Sequence, residues 1–478
     1  MEIKQKMKSA SSQWNLRISK PIFLMSLSFS ILLILISCNY FSNNEWDKIP
    51  NIKSQIVPPS FPDKDFLITT YGAVGDGLTN CTEAITKAID ECNNSGGGRV
   101  VVPAGVYFTG AINLKSNVNL YISKQATIFF STNPNDYLPV VITRFEGVEC
   151  MNYSPFIYAY NCENIAITGS GTLDGQAGID NWWSWKGTNE YGWDSGEPNG
   201  LDDTEALYRM GEENVPLEER VFGEGHELRT NFIQPYKCKN ILIDSVTIKR
   251  SPMWVIHPVL CENVTVSNIT VNSHGPNNDG CNPESSRNVL IKNCSFDTGD
   301  DCIAIKSGRN AEGRRINIPS ENIIIQDCTM KDGHGGVVIG SEMSGNVRNV
   351  FIEDCYMDSP NLERALRIKT NSMRGGIVEN IFMRNCEIGE VSDAVLRINF
   401  LYGEGDTGNF TPVVKNIKLK RVSSKKSIYA LALDGYNRSP ITDISVEDCN
   451  FDGVEKGNIL NNYTNLKFIN TFINGVPQ

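Results

Sequence analysis

A nine-residue pattern recurs along the chain and restricts the fold more than any other feature of the sequence. Each copy starts at Asn or Asp, alternates apolar and polar residues, meets an Asn, Asp or Ser, and resumes with an apolar residue. The clearest copies are NILIDSVTI at Asn240, NVTVSNITV at Asn263, NVLIKNCSF at Asn288, NIIIQDCTM at Asn322, NVFIEDCYM at Asn349, NIFMRNCEI at Asn380 and DISVEDCNF at Asp443, with weaker copies at Asn164 and Asn416. From Asn240 onward the copies start about 23 to 36 residues apart, a spacing typical of solenoid proteins.

The alternation within each copy predicts one short β-strand with a single buried face. The Asn, Asp or Ser in the middle of the copy tolerates the left-handed backbone conformation that a sharp bend requires. Short strands that bend at a fixed place and return once per coil predict an all-β fold, the parallel β-helix.

The chain has 14 cysteines, and several of them share one position of the repeat. Other copies carry Val246, Ile269 and Val422 at that position, so cysteine there serves as a small buried hydrophobe. We expect mostly free, buried thiols, although disulfides are possible in an exported protein. A zinc site is not expected, because tight cysteine pairs are lacking and the chain has only 4 histidines. The cysteines at this position are Cys294, Cys328, Cys355, Cys386 and Cys449.

The N-terminal segment 1–38 differs from everything after it. Basic residues precede an apolar run from Ile22 to Ile36, which is too short for a comfortable membrane span and has the charge order of an export signal. The segment resembles a bacterial lipoprotein signal in which Cys38 becomes lipidated and anchors the protein to a membrane. An uncleaved signal anchor and an ordinary cleaved signal peptide remain alternatives. Residues 39–60 are polar and suit a tether.

The remaining residues, 61–478, are expected to form one β-helix domain with a capping helix at its N-terminal end. Asn80 or Thr82 can cap this helix, whose apolar residues share one face, and Gly96 to Gly98 end it. Such a helix would cover the open end of the solenoid. The apolar residues of this face are Ala84, Ile85, Ala88 and Ile89.

An insertion at about 180–229 separates the first coils from the clear repeats. It contains four of the 7 tryptophans, which form either a small core under a loop or a wall on which sugars stack. These residues are Trp182, Trp183, Trp185 and Trp193.

The overall charge of the chain limits its partners. The net charge is -11 and the pI is about 5.1, so no nucleic-acid partner is indicated. An anionic substrate would have to be attracted by a local basic cluster rather than by the field of the whole protein.

Four short motifs follow successive copies of the repeat at broadly similar offsets. They are Asn277-Asn278-Asp279, Gly299-Asp300-Asp301, Gly333-His334-Gly335 and Arg367-Ile368-Lys369. Because neighbouring coils lie about 4.8 Å apart, the stacked motifs bring three carboxylates, an imidazole, a guanidinium and an ammonium group onto one face. Alternation buries Ile368 and turns Arg367 and Lys369 outward.

Such a patch of charges indicates a catalytic site rather than a purely structural feature. Crowded carboxylates repel one another, so at least one should have a raised pKa, as a general acid requires, while another stays ionised to activate water. Arg367 and Lys369 suit a substrate carboxylate. The combination indicates hydrolysis of a glycosidic bond in an acidic polysaccharide.

The four motifs, in this order on a β-helix, resemble those of the polygalacturonase family, glycoside hydrolase family 28. The resemblance runs from about Tyr71 to the C-terminal coils and includes GVVIGSEMSG at Gly336 and SPMWVIHP at Ser251. It implies a single-stranded, right-handed, pectin-lyase-like β-helix. It also implies inverting hydrolysis of α-1,4-galacturonosidic bonds in pectin without a metal or other cofactor. From the residues alone, stacked coils place the acids closer together than the ~6.5 to 9.5 Å expected of inverting pairs, so inversion rests on the resemblance.

The resemblance also implies roles for the acidic motifs. Asp300 is expected to be the general acid that protonates the leaving oxygen, and Asp279 and Asp301 to hold and activate water. His334 would orient Asp300 or adjust its pKa. Asn277 would support the first acid by hydrogen bonds. Asn278 stands where the family usually has Thr, at a position that is not catalytic.

The resemblance further implies that Arg367 and Lys369 grip the uronate carboxylate and that Tyr402 contacts substrate. Lys306 is a candidate subsite cation by its proximity alone. His257 and His274 are expected to be structural or rim residues.

Several questions stay open at this stage. A pectate lyase shares the fold and substrate, a galacturonidase would act on rhamnose-containing pectin, and a binding solenoid would have no activity. The tryptophan-rich insertion favours exo action, because it could wall off one end of a groove. GSEMSG and RGGIVEN at Arg374 also favour it, because they resemble segments of bacterial exo-acting members. A monomeric, exported bacterial lipoprotein is expected.

Overall fold

The computed structural model describes residues 44–478. The chain divides into a small unit that ends at Lys48 and a large unit from Ile49 to Gln478. The described part of the small unit contains one 3-10 helix, Glu45–Lys48. The lipidation predicted at Cys38 lies outside the described residues.

Three long faces of parallel strands make up the large unit, and the chain visits them in turn on every coil. The first sheet contains Asp65–Leu67, Gly98–Val102, Val118–Ile122, Glu163–Gly169, Lys239–Asp244, Glu262–Ser267, Arg287–Lys292, Ser320–Gln326, Val347–Glu353, Ile377–Arg384, Val413–Lys420, Ile441–Glu447 and Tyr463–Ile469. The second sheet contains Asp76–Asn80, Gly105–Thr109, Ala126–Phe130, Thr172–Asp174, Thr247–Lys249, Thr270–Ser273, Ser295–Thr298, Thr329–Met330, Tyr356–Met357, Glu387–Glu390, Ser423–Lys426, Asn450–Phe451, Phe472–Ile473 and Val476–Pro477.

The third sheet carries the residues of interest for function. Its two parts are joined by single parallel bridges from Ile233 through Ile256 and Cys281 to Ile303. Their strands are Ile112–Asn113, Ile157–Tyr160 and Ile233–Tyr236 in one part, and Ile303–Ile305, Val337–Ile339, Arg364–Lys369, Ala394–Asn399, Tyr429–Asp434 and Ile459–Asn461 in the other. The architecture is the predicted all-β, single-stranded, right-handed parallel β-helix.

Four α-helices occur in the described part of the chain: α1 (Ile49–Gln55), α2 (Thr82–Asn94), α3 (Leu201–Glu213) and α4 (Asn310–Ile316). Short 3-10 helices span Ile68–Tyr71, Pro134–Tyr137, Ser184–Lys186, Asn189–Tyr191 and Leu217–Glu219. None of the helices in residues 44–478 is long and apolar enough to cross a membrane.

The capping helix is confirmed as α2. The side chain of Asn80 accepts a hydrogen bond of 2.9 Å from the backbone N–H of Thr82, and the predicted apolar face is buried. Helix α1 differs from the prediction, because it lies inside the segment 39–60 that was expected to be a tether. Ile52 and Ile56 are buried, and Asn288 donates a 3.2 Å hydrogen bond to Gln55, so the folded unit begins before residue 61.

The Asn that starts each repeat forms a ladder that runs between coils. Asn322 is typical: its amide donates to Asn288 at 3.2 Å and its carbonyl oxygen accepts from Asn349 at 3.2 Å. Its φ is 57°, in the left-handed region that Asn adopts more readily than most residues. The bend residue of the same coil, Asp327, also has a positive φ, of 53°, as the sequence predicted.

The prediction about cysteines is also confirmed for the described residues. All 13 cysteines in that part of the chain are free and buried. Four of the repeat-position cysteines, Cys294, Cys328, Cys355 and Cys386, stack in neighbouring coils, and Cys449 lies against Val422 of the preceding coil. All of them fill the space that Val or Ile fills in other coils.

An antiparallel hairpin projects over the third sheet. Its strands are Val141–Phe145 and Val148–Asn152, and Val221–Phe222 of the insertion pairs with the second strand. The fully buried Arg144 bonds Glu284 at 3.1 Å, and Glu284 in turn bonds His257 at 2.7 Å. Pairing compensates the cost of burying these charges. His257 is therefore a structural residue, as expected.

We predict that Asn322→Ala destabilises the protein by about 2 to 4 kcal/mol, because it removes two partly buried side-chain hydrogen bonds and puts Ala, which disfavours the left-handed region, in place of Asn, which tolerates it. Calorimetric unfolding would measure the change. Asn322→Gly should recover about 1 kcal/mol of this loss, since glycine adopts positive φ freely. Asn135→Ala, at an exposed residue, is the control. Equal stability of all three variants would show that the ladder contributes nothing.

Candidate active site

Three of the four predicted motifs lie at the edge where the strands of the third sheet begin, and the fourth lies within a strand of the same sheet. Asp300 and Asp301 lie directly before the strand Ile303–Ile305, and His334 lies before Val337–Ile339. The strand Arg364–Lys369 continues the same sheet, with Arg367 paired to Val338 in the neighbouring coil. Parallel register thus stacks the motifs, and Ile368 is fully buried as predicted.

Three carboxylates form the centre of the site. One oxygen from each of Asp279, Asp300 and Asp301 lies within 4.8 Å of the others. Asp279 and Asp301 are buried, whereas the side chain of Asp300 is 16% exposed. The spacing is shorter than that expected of inverting pairs, as the stacking of coils predicted.

Each carboxylate has its own basic partner. Lys306 lies 3.4 Å from Asp279, Lys369 bonds Asp301 at 2.8 Å, and His334 contacts Asp300 at 3.1 Å through Nδ1. Arg367 lies 3.7 Å from Oδ1 of Asp301. Among the described residues, that Oδ1 atom is buried and accepts no hydrogen bond. It therefore retains lone pairs for a reacting water.

The surroundings push the pKa values of two carboxyls apart. Burial and the nearby charge of Asp300 raise the pKa of Asp279 well above its usual value. Burial also opposes ionisation of Asp300, but the hydrogen bond from His334 and the charge of Lys369 outweigh it and lower the pKa of Asp300. The bond to Asp300 raises the pKa of His334. The expected raised pKa is thus present, and it belongs to Asp279 in the substrate-free protein.

The predicted substrate-binding residues Arg367, Lys369 and Tyr402 lie together. The ring centre of Tyr402 is 5.5 Å from the Arg367 guanidinium and 5.2 Å from the Lys369 ammonium group. These distances place both cations against the face of the ring. The three side chains form one corner of the site.

Two other predicted residues have partners that differ from the expectation. Asn277 was expected to bond the first acid, but its side-chain oxygen accepts from Arg229 at 2.7 Å and from Lys186 at 3.1 Å. The reason is that the insertion supplies two cations that compete for this oxygen. Its neighbour Asn278, fully buried, holds the loop instead by bonding Ser273 and the backbone N–H of Gly275.

Lys306 was predicted to be a subsite cation, but its charge is already paired within the protein. Besides Asp279, it bonds Glu342 at 3.1 Å and lies 4.4 Å from the ring centre of Trp254. Its side chain is only 4% exposed. Its main effect is to stabilise negative charge on its neighbours.

The site opens into a cleft of about 590 Å³. Proximity to the motifs could not reveal the far end of this cleft, because its residues come from segments distant in sequence. The GSEMSG and RGGIVEN segments, which contain Glu342 and Arg374, and the insertion, which contains Tyr208, gave a signal without identifying these residues. The residues of the far end are Glu146, Tyr208, Arg309, Glu342, Arg374 and Glu404.

Three tryptophans of the insertion, Trp182, Trp183 and Trp185, pack into or against the hydrophobic core instead of forming a wall of this cleft. Trp182 is buried, with its ring centre 4.8 Å from that of Trp185. Trp183 donates from its indole N–H to the backbone of Ser251 at 2.8 Å. None of the four tryptophans is among the described residues that line the cleft.

Two groups in the described part of the chain could supply metal ligands. In the carboxylate centre, Lys306 and Lys369 each pair with one oxygen, of Asp279 and Asp301 respectively. The second group consists of His274, Asp297 and Asp332 at the rim. His274 pairs with Asp297 at 2.8 Å, consistent with the expected rim position.

Comparison with known proteins identifies the family. Residues 220–470 match the family described as glycosyl hydrolases family 28, and residues 66–127 match one described as rhamnogalacturonase A/epimerase, pectate lyase-like. A probable polygalacturonase from Vitis vinifera is 28% identical over 80% of this chain and 73% of its own length. An exo-poly-alpha-D-galacturonosidase from Dickeya chrysanthemi is 27% identical over 72% of this chain, which spans 58% of that relative.

A solved structure is more similar still. The hyperthermoactive exopolygalacturonase from Thermotoga maritima is 46% identical, with a TM-score of 0.89, over 91% of this chain and 97% of that chain. The family match itself covers more than half of the sequence. The chain therefore belongs to the glycosyl hydrolases of family 28.

Proposed function

We propose that this glycoside hydrolase cleaves α-1,4-galacturonosidic bonds of polygalacturonate from a chain end, with inversion. The observation that carries the proposal is the carboxylate centre beside Arg367 and Lys369. These cations suit a uronate carboxylate, and the acids suit proton transfer to and from a glycosidic bond. The exo-acting relatives from Dickeya chrysanthemi and Thermotoga maritima support it by their names.

The proposed reaction is a single displacement. Asp300, the more exposed acid, donates a proton to the glycosidic oxygen as the bond from that oxygen to C1 breaks. Asp279 and Asp301 hold a water that attacks C1 and gives up its proton to a carboxylate. Oδ1 of Asp301, which accepts no hydrogen bond among the described residues, supports this assignment. The products are two sugars that together contain the added water.

The proton must be on Asp300 for this step, although Asp279 holds it more strongly in the free protein. Two close carboxyls that repel each other titrate as a pair and share one proton. Lys369 is one of the groups that keep Asp300 ionised. A uronate carboxylate bound to Lys369 and Arg367 would neutralise that influence, so we infer that substrate binding moves the shared proton toward Asp300.

Exo action is supported by the closed far end of the cleft. The tip of the hairpin, helix α3 of the insertion, the start of α4 and the loop after Phe400 meet there. Tyr208 bonds Glu146, and Arg309 lies 3.7 Å from the ring centre of Tyr208 and bonds Glu404 at 3.1 Å. A long polymer could not continue through these linked segments.

The cleft also has a direction. Asp300 and His334 lie where the third-sheet strands begin, and the His334 side chain is 49% exposed. Arg309 and Glu404 lie beyond the other ends of the strands. The leaving part of the polymer would therefore extend past His334 into solvent, and the sugar whose C1 is attacked would point toward the closed end. This orientation corresponds to cleavage from the non-reducing end.

Export and anchoring through a lipid on Cys38 remain part of the proposal. The relevant segment, 1–38, lies outside the described residues, and its support is the charge order of the sequence. A monomeric state is likewise proposed.

We predict that the chain from Asn39 onward releases only short products from polygalacturonate throughout digestion. Reducing ends should rise in the presence of a chelator without ultraviolet absorbance, since hydrolysis creates no double bond. Product sizes would be followed by anion-exchange chromatography. Mixed oligomers at early times would contradict exo action, and absorbing products would indicate elimination.

The variant Asp300→Asn tests whether this activity comes from the proposed site. It should lower kcat by at least ~10², the range for loss of a positioned proton donor. Asp297→Asn, a nearby carboxylate outside the centre, should retain activity.

We predict that Lys306→Met shifts the high-pH limb of the kcat/KM profile upward by about 1 pH unit. The charge of Lys306 lowers the pKa of Asp279, so removing it holds the shared proton to higher pH. Lys292→Met, on the first sheet, is the matched control. If the high-pH limb does not move in a folded Lys306→Met variant, the carboxyl pair of Asp279 and Asp300 does not govern the pH dependence of kcat/KM.

A further inference from the structure

The closed end of the cleft contains a cluster of opposite charges, defined here as the end cluster: Glu146, Arg309, Glu342, Arg374 and Glu404. Arg309 lies 3.8 Å from Glu146, 3.5 Å from Glu342 and 3.1 Å from Glu404. Arg374 bonds Glu404 at 3.0 Å. The three acids and two arginines therefore carry a net negative charge where an anionic polymer would have to end.

Glu404 is the acid of this cluster with the greatest access to the cleft. Its side chain is 36% exposed, compared with 17% for Glu146 and 8% for Glu342. Donors fix it from behind, including Arg309, Arg374 and the amide of Asn371 at 2.9 Å. It lines the cleft beside Tyr402, which contacts the proposed uronate-binding cations.

Glu404 is held in its ionised form. Burial opposes ionisation, but the charge of Arg374 and further donors outweigh it and lower the pKa of Glu404. An ionised carboxylate can only accept hydrogen bonds. The group at the closed end thus offers a fixed acceptor to whatever part of the substrate reaches it.

A second observation concerns the arginine behind Glu404. The Arg374 side chain is 2% exposed and lines the cleft, and its Nε–H has no hydrogen-bond partner among the described residues. A buried unpaired donor is costly. The end cluster therefore contains an N–H donor that no described protein group accepts from.

The end of a polygalacturonate chain differs chemically from its interior at one atom. The terminal non-reducing sugar has a free 4-hydroxyl, which can donate a hydrogen bond. In an internal sugar the same oxygen is part of the linkage, has no hydrogen, and brings the carboxylate of the next residue close to three glutamates. A site built to bond a hydroxyl strongly rejects a ligand that lacks it.

We propose that Glu404 determines specificity for the chain end by accepting a hydrogen bond from the free 4-hydroxyl of the non-reducing terminal galacturonate. This inference rests on the exo action and the substrate direction proposed above. Glu404 determines which glycosidic bond reaches the carboxylate centre. It takes no part in proton transfer. Its negative charge also disfavours entry of an internal segment.

The test compares digalacturonate with an analogue that lacks only the terminal 4-hydroxyl. The wild-type protein should prefer digalacturonate in kcat/KM by about 10- to 100-fold, the range for a hydrogen bond to a charged group. Glu404→Ala should lower kcat/KM for digalacturonate, leave the analogue nearly unchanged, and so bring the ratio close to one. Glu404→Gln, which keeps an acceptor and the shape of the side chain, should give an intermediate ratio.

Glu321→Ala is the matched control, because Glu321 is a partly exposed acid that bonds Arg348 on the first sheet. Its ratio should equal that of the wild type. A wild-type ratio of one, or an equal loss on both substrates in both Glu404 variants, would overturn the proposal, since a merely structural role cannot change the ratio. Failure to hydrolyse digalacturonate, or release of long fragments from the polymer, would contradict the proposed function itself and this inference with it.

Discussion

The close stacking of parallel coils is the constraint on which the site depends. Hydrogen bonds between coils fix their spacing, and the asparagine ladder fixes their register, as at Asn322 between Asn288 and Asn349. Residues that are tens of positions apart in sequence thereby become neighbours. The same geometry that stabilises the solenoid also forces Asp279, Asp300 and Asp301 together.

That enforced proximity has an electrostatic cost which the protein meets with paired cations. Lys306 compensates Asp279, Lys369 compensates Asp301, and His334 bonds Asp300. Because Asp279 and Asp300 differ in depth and partner, their proton affinities differ, and different roles can arise from identical side chains. A substrate carboxylate would change this balance when it binds to Lys369. The closed cleft excludes polymer from one side, so the chain end and the reacting bond are positioned together.

The sequence predicted what the repeat determines, namely the β-helix, the capping helix, the buried cysteines and the grouping of the four motifs. Each of these follows from the alternation and register within a coil. It indicated that the insertion could close one end of the groove, but it did not predict the residues that do so, because Glu146, Tyr208 and Arg309 lie in loops and an insertion that obey no repeat. The partners of Asn277 were also missed because the insertion supplies them. The higher proton affinity of Asp279 was missed because it depends on burial and on the charge of Asp300, which the repeat pattern does not reveal.

The central claim is that water attacks C1 directly, although the carboxylates are closer together than the spacing expected of inverting enzymes. Proton NMR of the first product released from digalacturonate would test this claim most directly. Single displacement at an α-linkage predicts that the β-anomer of galacturonate appears first and then equilibrates. Initial release of the α-anomer would contradict the account, because it would require a covalent intermediate on one of these carboxylates.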